Sequence, residues 1–247
     1  MKIIISPAKK MNSEEFIAWQ QLPVFLPKTQ QLLEYLQQCN YDTCKKIWKC
    51  NDSIAQLNHN RLQHCNLKQN LSPALFCYEG LQYQSLAPQV LTSEQLDYLS
   101  DHLRILSGFY GIVSPLDGIV PYRLEMQAKL PDFSAKDLYD FWGKDLAEHL
   151  SAETDCIINL ASKEYSKAVQ KHLPTTIRWI DCTFARMVNG KLMEQATFAK
   201  MARGAMVRFL TENNAQTPEK MISFSDLDFC FSPEHSSKNH FFFIQQS

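Results

Sequence analysis

The amino-acid sequence predicts an α+β fold, a mixed sheet with surrounding helices, in one compact domain spanning residues 1–247. Three observations carry that reading. Apolar residues recur at both strand and helix spacing, yet strands and helices interleave without the regular β-α-β-α rhythm of a doubly wound sheet. Only 7 glycines occur in 247 residues, and no repeat or Gly-, Ser- and Pro-rich linker divides the chain. Hydrophobic residues make up 45% and charged residues 21%, the balance of a globular protein that buries its own core.

The elements follow in order. Lys2–Ser6 reads as a short buried strand stopped by Pro7, which lacks an N–H for the ladder. Residues 28–39 and 42–57 read as helices, the second with a break near Asn51-Asp52-Ser53, which are poor helix formers. Thr92 with Gln95 forms a capping box, and Leu96, Leu99, Leu103 and Leu106 continue it as one apolar stripe. Gly108 suits the left-handed position after such a helix. Ser134 with Asp137 opens another helix, faced by Leu138, Phe141, Trp142 and Leu146. Cys156–Leu160 is a buried strand, and Ser162 caps the helix after it. Residues 177–188 are extended, and Asn189-Gly190 turns them into Lys191–Met193. A helix spans residues 197–210, and two aromatic strands, 229–231 and 241–244, complete the tail.

Composition excludes several classes of function. The apolar run Ile3–Ile5 is too short for a secretory leader, and no stretch approaches the ~18 apolar residues of a membrane span, so a cytoplasmic protein without a membrane partner is expected. The 8 cysteines form no C-x-x-C, and no zinc-ligand spacing appears, so they read as free thiols with no metal and no cofactor. There is no G-x-G-x-x-G, no P-loop and no G-x-S-x-G. Net charge is -1 overall, but residues 1–90 carry +3 and residues 91–150 carry -5, so a site for a polyanion must be local.

Four segments carry polar groups beyond what a core requires. Ser6-Pro7-Ala8-Lys9-Lys10 ends a strand with a hydroxyl and two ammonium groups; it is an anion cradle or a solvated loop. In Tyr122-Arg123-Leu124-Glu125, Arg123 and Glu125 share one face of an extended segment, either as a structural ion pair or as a guanidinium aimed at phosphate. Asn159–Tyr165 feeds a buried strand into a helix N-terminus, where Ser162 serves an anion or simply caps. On the helix over 197–210, Lys200, Arg203, Gly204 and Arg208 share one arc. Gly204 in mid-helix costs about 1 kcal/mol against Ala, and is explained if something approaches the helix there.

The strings Ile4–Lys9, His102–Gly111, Pro115-Leu116-Asp117, Pro121–Met126, Lys136–Gly143, Asn159–Tyr165 and Ala202-Arg203-Gly204, in this order and spacing, resemble the bacterial YaaA peroxide-stress family from the first residues to the C-terminal strands. The resemblance implies a single α/β domain of unusual fold, with a positively charged cleft and a helix-hairpin-helix element. It also implies a role in oxidative-stress defence and non-sequence-specific DNA binding through the phosphate backbone. The Gly-x-x-Gly of Gly108 and Gly111 is where the helix-hairpin-helix would fall, with Arg104 beside it. Ser114 stands where similar chains often carry Arg, which makes that hairpin a poorer phosphate binder. The ligand- or DNA-binding set is then Ser6, Lys9, Lys10, Arg104, Gly108, Gly111, Tyr122, Arg123, Asn159, Ser162, Lys200, Arg203 and Arg208. The alternative is an enzyme acting on a small phosphorylated or nucleotide-like ligand, with Glu125, Glu164, Tyr122 or Tyr165 as acid–base groups. An open groove would favour DNA, and a closed pocket with a perturbed carboxylate would favour catalysis.

Overall fold

A computed structural model describes residues 1–13 and 17–246. The apolar run at the start forms β1 (Lys2–Ile5), with Ile3, Ile4 and Ile5 fully buried. A two-residue strand, β2 (Lys10–Met11), follows it. Helices α1 (Leu26–Gln38), α2 (Tyr41–Trp48) and α3 (Asp52–Gln63) come next. The break expected within residues 42–57 is real. Lys49 takes a left-handed conformation at φ 46, and the Asn51 side chain caps α3 by accepting from the Ile54 N–H.

The chain then makes β3 (Ser72–Pro73), α4 (Ala74–Cys77), β4 (Tyr78–Glu79) and α5 (Leu81–Leu86). Thr92 and Gln95 form the complete capping box of α6 (Ser93–His102). That helix stops earlier than its leucine stripe suggests. Leu103 and Leu106 belong to β5 (Leu103–Ser107), buried at every position and paired antiparallel with β6 (Gly111–Val113). The expected helix-hairpin-helix position therefore holds a β-hairpin. The reason is β1: its three isoleucines offer an apolar parallel neighbour, pairing Ile3 with Leu103 and Ile5 with Ile105.

After β7 (Gly118–Ile119), the helix expected over residues 134–146 is two helices. Asp137, not Ser134, caps α7 (Leu138–Trp142), and Gly143 at φ 50 separates it from α8 (Asp145–Glu153). The remaining elements are β8 (Cys156–Leu160), α9 (Lys163–Gln170), β9 (Arg178–Val188), β10 (Lys191–Met193), α10 (Ala196–Glu212), β11 (Phe229–Phe231) and β12 (His240–Gln245). Asn189 and Gly190, both at positive φ, make the hairpin turn between β9 and β10.

The main sheet has 8 strands in the order β11-β12-β9-β8-β1-β5-β6, with β10 attached to β9. Neighbours from β12 through β5 are parallel; β11, β6 and β10 pair antiparallel. From β1 the chain crosses to β5 on one side. From β8, on the other side of β1, it moves away towards β9 and β12. The connections diverge at the β1–β8 boundary, and in open parallel sheets a crevice at such a switch point is the usual ligand position. One contiguous core of buried side chains joins this sheet to the helices. Among the described residues, no helix is long and apolar enough to cross a membrane.

Candidate functional site

The register pairs Ile5 with Leu160, so Ser6 and the Ala161-Ser162 turn emerge side by side at the carboxyl ends of β1 and β8. Ser6 Oγ accepts the Ser162 N–H at 2.8 Å and lies 3.2 Å from Ser162 Oγ. Ser162 occupies the N-cap position of α9, but its side chain makes no cap bond to that helix. It is committed to Ser6 instead, so the expectation of a plain cap is corrected. Asn159 is one step removed. Its Nδ2 donates to Asp181 Oδ1 at 2.8 Å and its Oδ1 accepts the Ala161 N–H, which shapes the turn.

Above these strand ends lies a cavity of about 430 Å³. All four polar segments contribute to its lining: Ser6 to Lys10, Tyr122 to Glu125, the start of α9 with Ser162, Glu164 and Tyr165, and Lys200 with Arg203 on α10. Residues 79–83 form the remaining wall. The sequence reading had no signal for Gln82 and Tyr83 themselves; the signal was Gly204. A Cβ at Gly204 would sit 1.9 Å from the carbonyl oxygen of Gln82. The object that approaches α10 between its basic groups is thus the backbone of α5, and the contact holds Gln82 and Arg203 on one wall.

The cations here are largely engaged. Glu125 bridges Lys9 Nζ at 2.9 Å and Arg123 Nη2 at 3.3 Å. Lys10 pairs with Glu79, and Arg203 Nη2 meets Glu194 Oε1 at 2.5 Å. Arg203 is therefore not the solvent-facing side chain that helical spacing suggested; it is only 13% exposed. Arg208, farther along α10, pairs with Glu212 outside the cavity. With Glu79, Glu125 and Glu164 in the walls, the cleft is of mixed charge.

Three donors stand out against this background. Arg123 Nε, Arg203 Nε and Gln82 Nε2 are buried, and none has an acceptor among the described residues. All three residues line the same cavity. A buried donor without an acceptor costs about 1–3 kcal/mol. Arg178 Nε, away from this cavity, is in the same state, so what marks the site is that three such residues share one wall.

The acid–base candidates separate clearly. Burial raises the Glu164 carboxyl above its ordinary value; the Gln127 N–H on Oε1 pulls it down, Glu125 pushes it up, Lys9 and Lys167 oppose, and the net shift is upward. Tyr122 is pushed up to about 12 by burial, despite bonds to Ser107 Oγ at 2.6 Å and Tyr78 OH at 3.0 Å. Burial raises Tyr165 further still. Both phenols stay neutral at physiological pH and can only share hydrogen bonds, which leaves the two carboxyl groups, Glu164 and the Glu125 that Lys9 and Arg123 hold.

Arg104, Gly108 and Gly111 lie elsewhere. Arg104, 6% exposed, is at the start of β5 and clasps Glu153 with Nε at 3.0 Å and Nη2 at 2.7 Å. The Phe109 and Tyr110 N–H groups of the hairpin turn donate to Ser107 Oγ, and both rings are buried, so this turn offers nothing to phosphate. Gly108 is small for another reason: a Cβ there would be 2.6 Å from the Leu124 carbonyl oxygen, so this glycine seats the segment that carries Arg123 and Glu125.

The family model described as "Peroxide stress protein YaaA" matches residues 1–235. Three curated relatives, each called "UPF0246 protein", extend the likeness. One from Lactiplantibacillus plantarum is 48% identical over 248 residues, covering 100% of both chains. One from Lachnoclostridium phytofermentans is 46% identical over 246 residues, 99% of this chain and 96% of the relative. A third, from Ligilactobacillus salivarius, is 46% identical over 99% of this chain and 100% of its own.

Proposed function

The chain belongs to the peroxide stress protein YaaA family, and on that premise we propose that it serves peroxide-stress defence by holding a small phosphate-bearing ligand in the cavity at the β1–β8 switch point. The observation that carries this is the convergence of Arg123, Arg203 and Gln82 on the wall of one cavity, each with a buried side-chain nitrogen (Arg123 Nε, Arg203 Nε, Gln82 Nε2) that has no acceptor among the described residues. A phosphate would accept from both guanidiniums, sit near the Ser6–Ser162 pair, and gain from the positive end of α9. A cavity of about 430 Å³ lies within the ~300–1,000 Å³ range of small-molecule sites. Glu164, whose carboxyl burial raises above its ordinary value, is a candidate to pass a proton to a bound ligand.

DNA binding through the phosphate backbone draws on the same cations. What supports it is Lys9 and Lys10 at the cavity mouth, 66% and 72% exposed. Against it, Glu125, shared by Lys9 and Arg123, with Glu79 on Lys10 and Glu194 on Arg203, offsets three of these four positive charges. The test is a pair of titrations on wild type and Arg203→Ala. Orthophosphate should bind wild type and lose about tenfold or more in the variant, the scale of a charge-assisted hydrogen bond. If orthophosphate does not bind while a labelled duplex does, with affinity falling steeply with salt, the DNA reading replaces this one.

A further inference from the structure

We propose that the ligand is a nucleoside monophosphate, with its phosphate on the Arg123 and Arg203 guanidiniums, its ribose hydroxyls on the cavity carboxylates, and an acceptor edge of its base on the Gln82 amide. This rests on reading the cavity as a phosphate site and names what else the ligand carries.

The first argument is the kind of donor. A guanidinium suits an anionic oxygen, whereas the amide of Gln82, a residue of the cavity wall that is 7% exposed and whose Nε2 has no acceptor among the described residues, suits a neutral acceptor such as a ring nitrogen or carbonyl oxygen. Gln82 is held rigidly, because its main chain rests on Gly204 beside Arg203. The phosphate-binding and ring-reading groups are therefore fixed relative to one another, as a ligand with both parts requires.

The second argument is charge. Glu79, Glu125 and Glu164 line the same cavity as Lys9, Lys10, Arg123, Lys200 and Arg203. A di- or triphosphate would crowd several negative oxygens against those carboxylates, and a monophosphate would not. Each of these carboxylates already has a donor from the protein, but a carboxylate accepts several hydrogen bonds, and the two hydroxyls of a ribose can add to them. The third argument is the wall itself. Pro7, Leu81, Leu124, Tyr83 and Tyr165 present apolar and aromatic surface that a bare phosphate could not use and a planar base could.

The experiment is calorimetric titration of the full chain with orthophosphate, adenosine and the four ribonucleoside 5′-monophosphates. At least one nucleotide should bind about tenfold tighter than orthophosphate, and tighter than adenosine if it is the adenine nucleotide. Gln82→Met, similar in shape but unable to donate, should weaken that nucleotide about tenfold more than it weakens orthophosphate. Should that variant fail to fold, Gln82→Glu puts the same question with an acceptor in place of the donor. Orthophosphate binding as tightly as all four nucleotides would overturn the nucleotide assignment and leave the phosphate site standing. Absence of any binding by folded wild type would overturn both.

Discussion

The two ends of the parallel strands each hold a cavity and a buried arginine, and they treat the arginine in opposite ways. At the amino ends, a cavity of about 560 Å³ is lined by Arg104, Glu153, His149 and Asp117. Arg104 gives Nε and Nη2 to Glu153, and Nη1 to the carbonyls of Ser100 and Leu103. Asp117 accepts from Gln21 and from the Ser114 N–H. Burial pushes the Glu153 carboxyl up, but the Arg104 bonds and the charges of Arg104, Lys2 and His149 outweigh it, and the net shift is down. At the carboxyl ends, Arg123 and Arg203 give one nitrogen each to a carboxylate, and neither Nε has an acceptor among the described residues. Volume alone would not separate these cavities; the larger is the one whose donors are satisfied. A closed network contributes to the fold, and an open one is available to a ligand.

The sharpest way to break this contrast is Arg104→Ala. It leaves Glu153 half-buried without its guanidinium partner, and should cost about 3 kcal/mol in urea unfolding, the low end for a broken buried pair because Glu153 is partly solvated and keeps Lys2. Phosphate affinity should hold. Loss of phosphate binding in a folded Arg104→Ala protein would mean that the two ends are not independent.

Gly204→Ala comes next. The added Cβ cannot coexist with the Gln82 carbonyl at 1.9 Å, so α5 and α10 must part. Overpacking exceeds the roughly 1 kcal/mol that Ala gains in a helix, and a net loss of about 2 kcal/mol is expected by thermal unfolding. A stabilised variant would show that the wall is looser than described.

Arg203→Ala should reverse the Arg104 pattern. Its ion pair with a partly exposed Glu194 is worth under about 1 kcal/mol, so melting should hardly move while phosphate affinity falls about tenfold. Arg203→Lys should restore only part of the affinity, since an ammonium lacks the second prong. A variant that melts early and still binds would assign Arg203 to the fold.

The smallest effect concerns Glu164. Its folded value lies above the ordinary 4.5, so its contribution to stability is fully present below 4.5 and is lost as pH rises through the folded value. Relative to Glu164→Gln, wild type should therefore lose stability as pH is raised from 4.5 towards neutrality. Unfolding curves for both proteins across that range check the sign; a difference that grows in the other direction would mean that Lys9 and Lys167 outweigh burial.

What the sequence revealed followed from how local each signal is. The Thr92–Gln95 box, the Asn189-Gly190 turn and the apolar run Ile3–Ile5 act within a few residues, and each formed as read. The leucine stripe from Leu96 to Leu106 misled because Leu103 and Leu106 answer to β1, which helical spacing cannot register. The same holds at the site. The four polar segments were visible because each carries charge out of keeping with a core. Gln82 and Glu194 were not, because an amide and a carboxylate acquire meaning only from what the fold sets beside them.

The position of β1 has one more consequence, for the order in which the chain is made. Its two neighbours are β5 and β8, synthesised about 100 and about 150 residues later. At ~5–20 residues per second, the three isoleucines leave the ribosome roughly 8–30 s before β8 can cover their second edge. Until β5 is made both edges of this buried apolar strand are unpaired, and until β8 is made one still is, a state that invites association between nascent chains. Lys2 at one end and the Pro7-Ala8-Lys9-Lys10 run at the other bracket it with charge and a proline, which discourages such pairing. Lys9 and Lys10, which line the cavity in the finished protein, thus guard the nascent chain before that cavity exists.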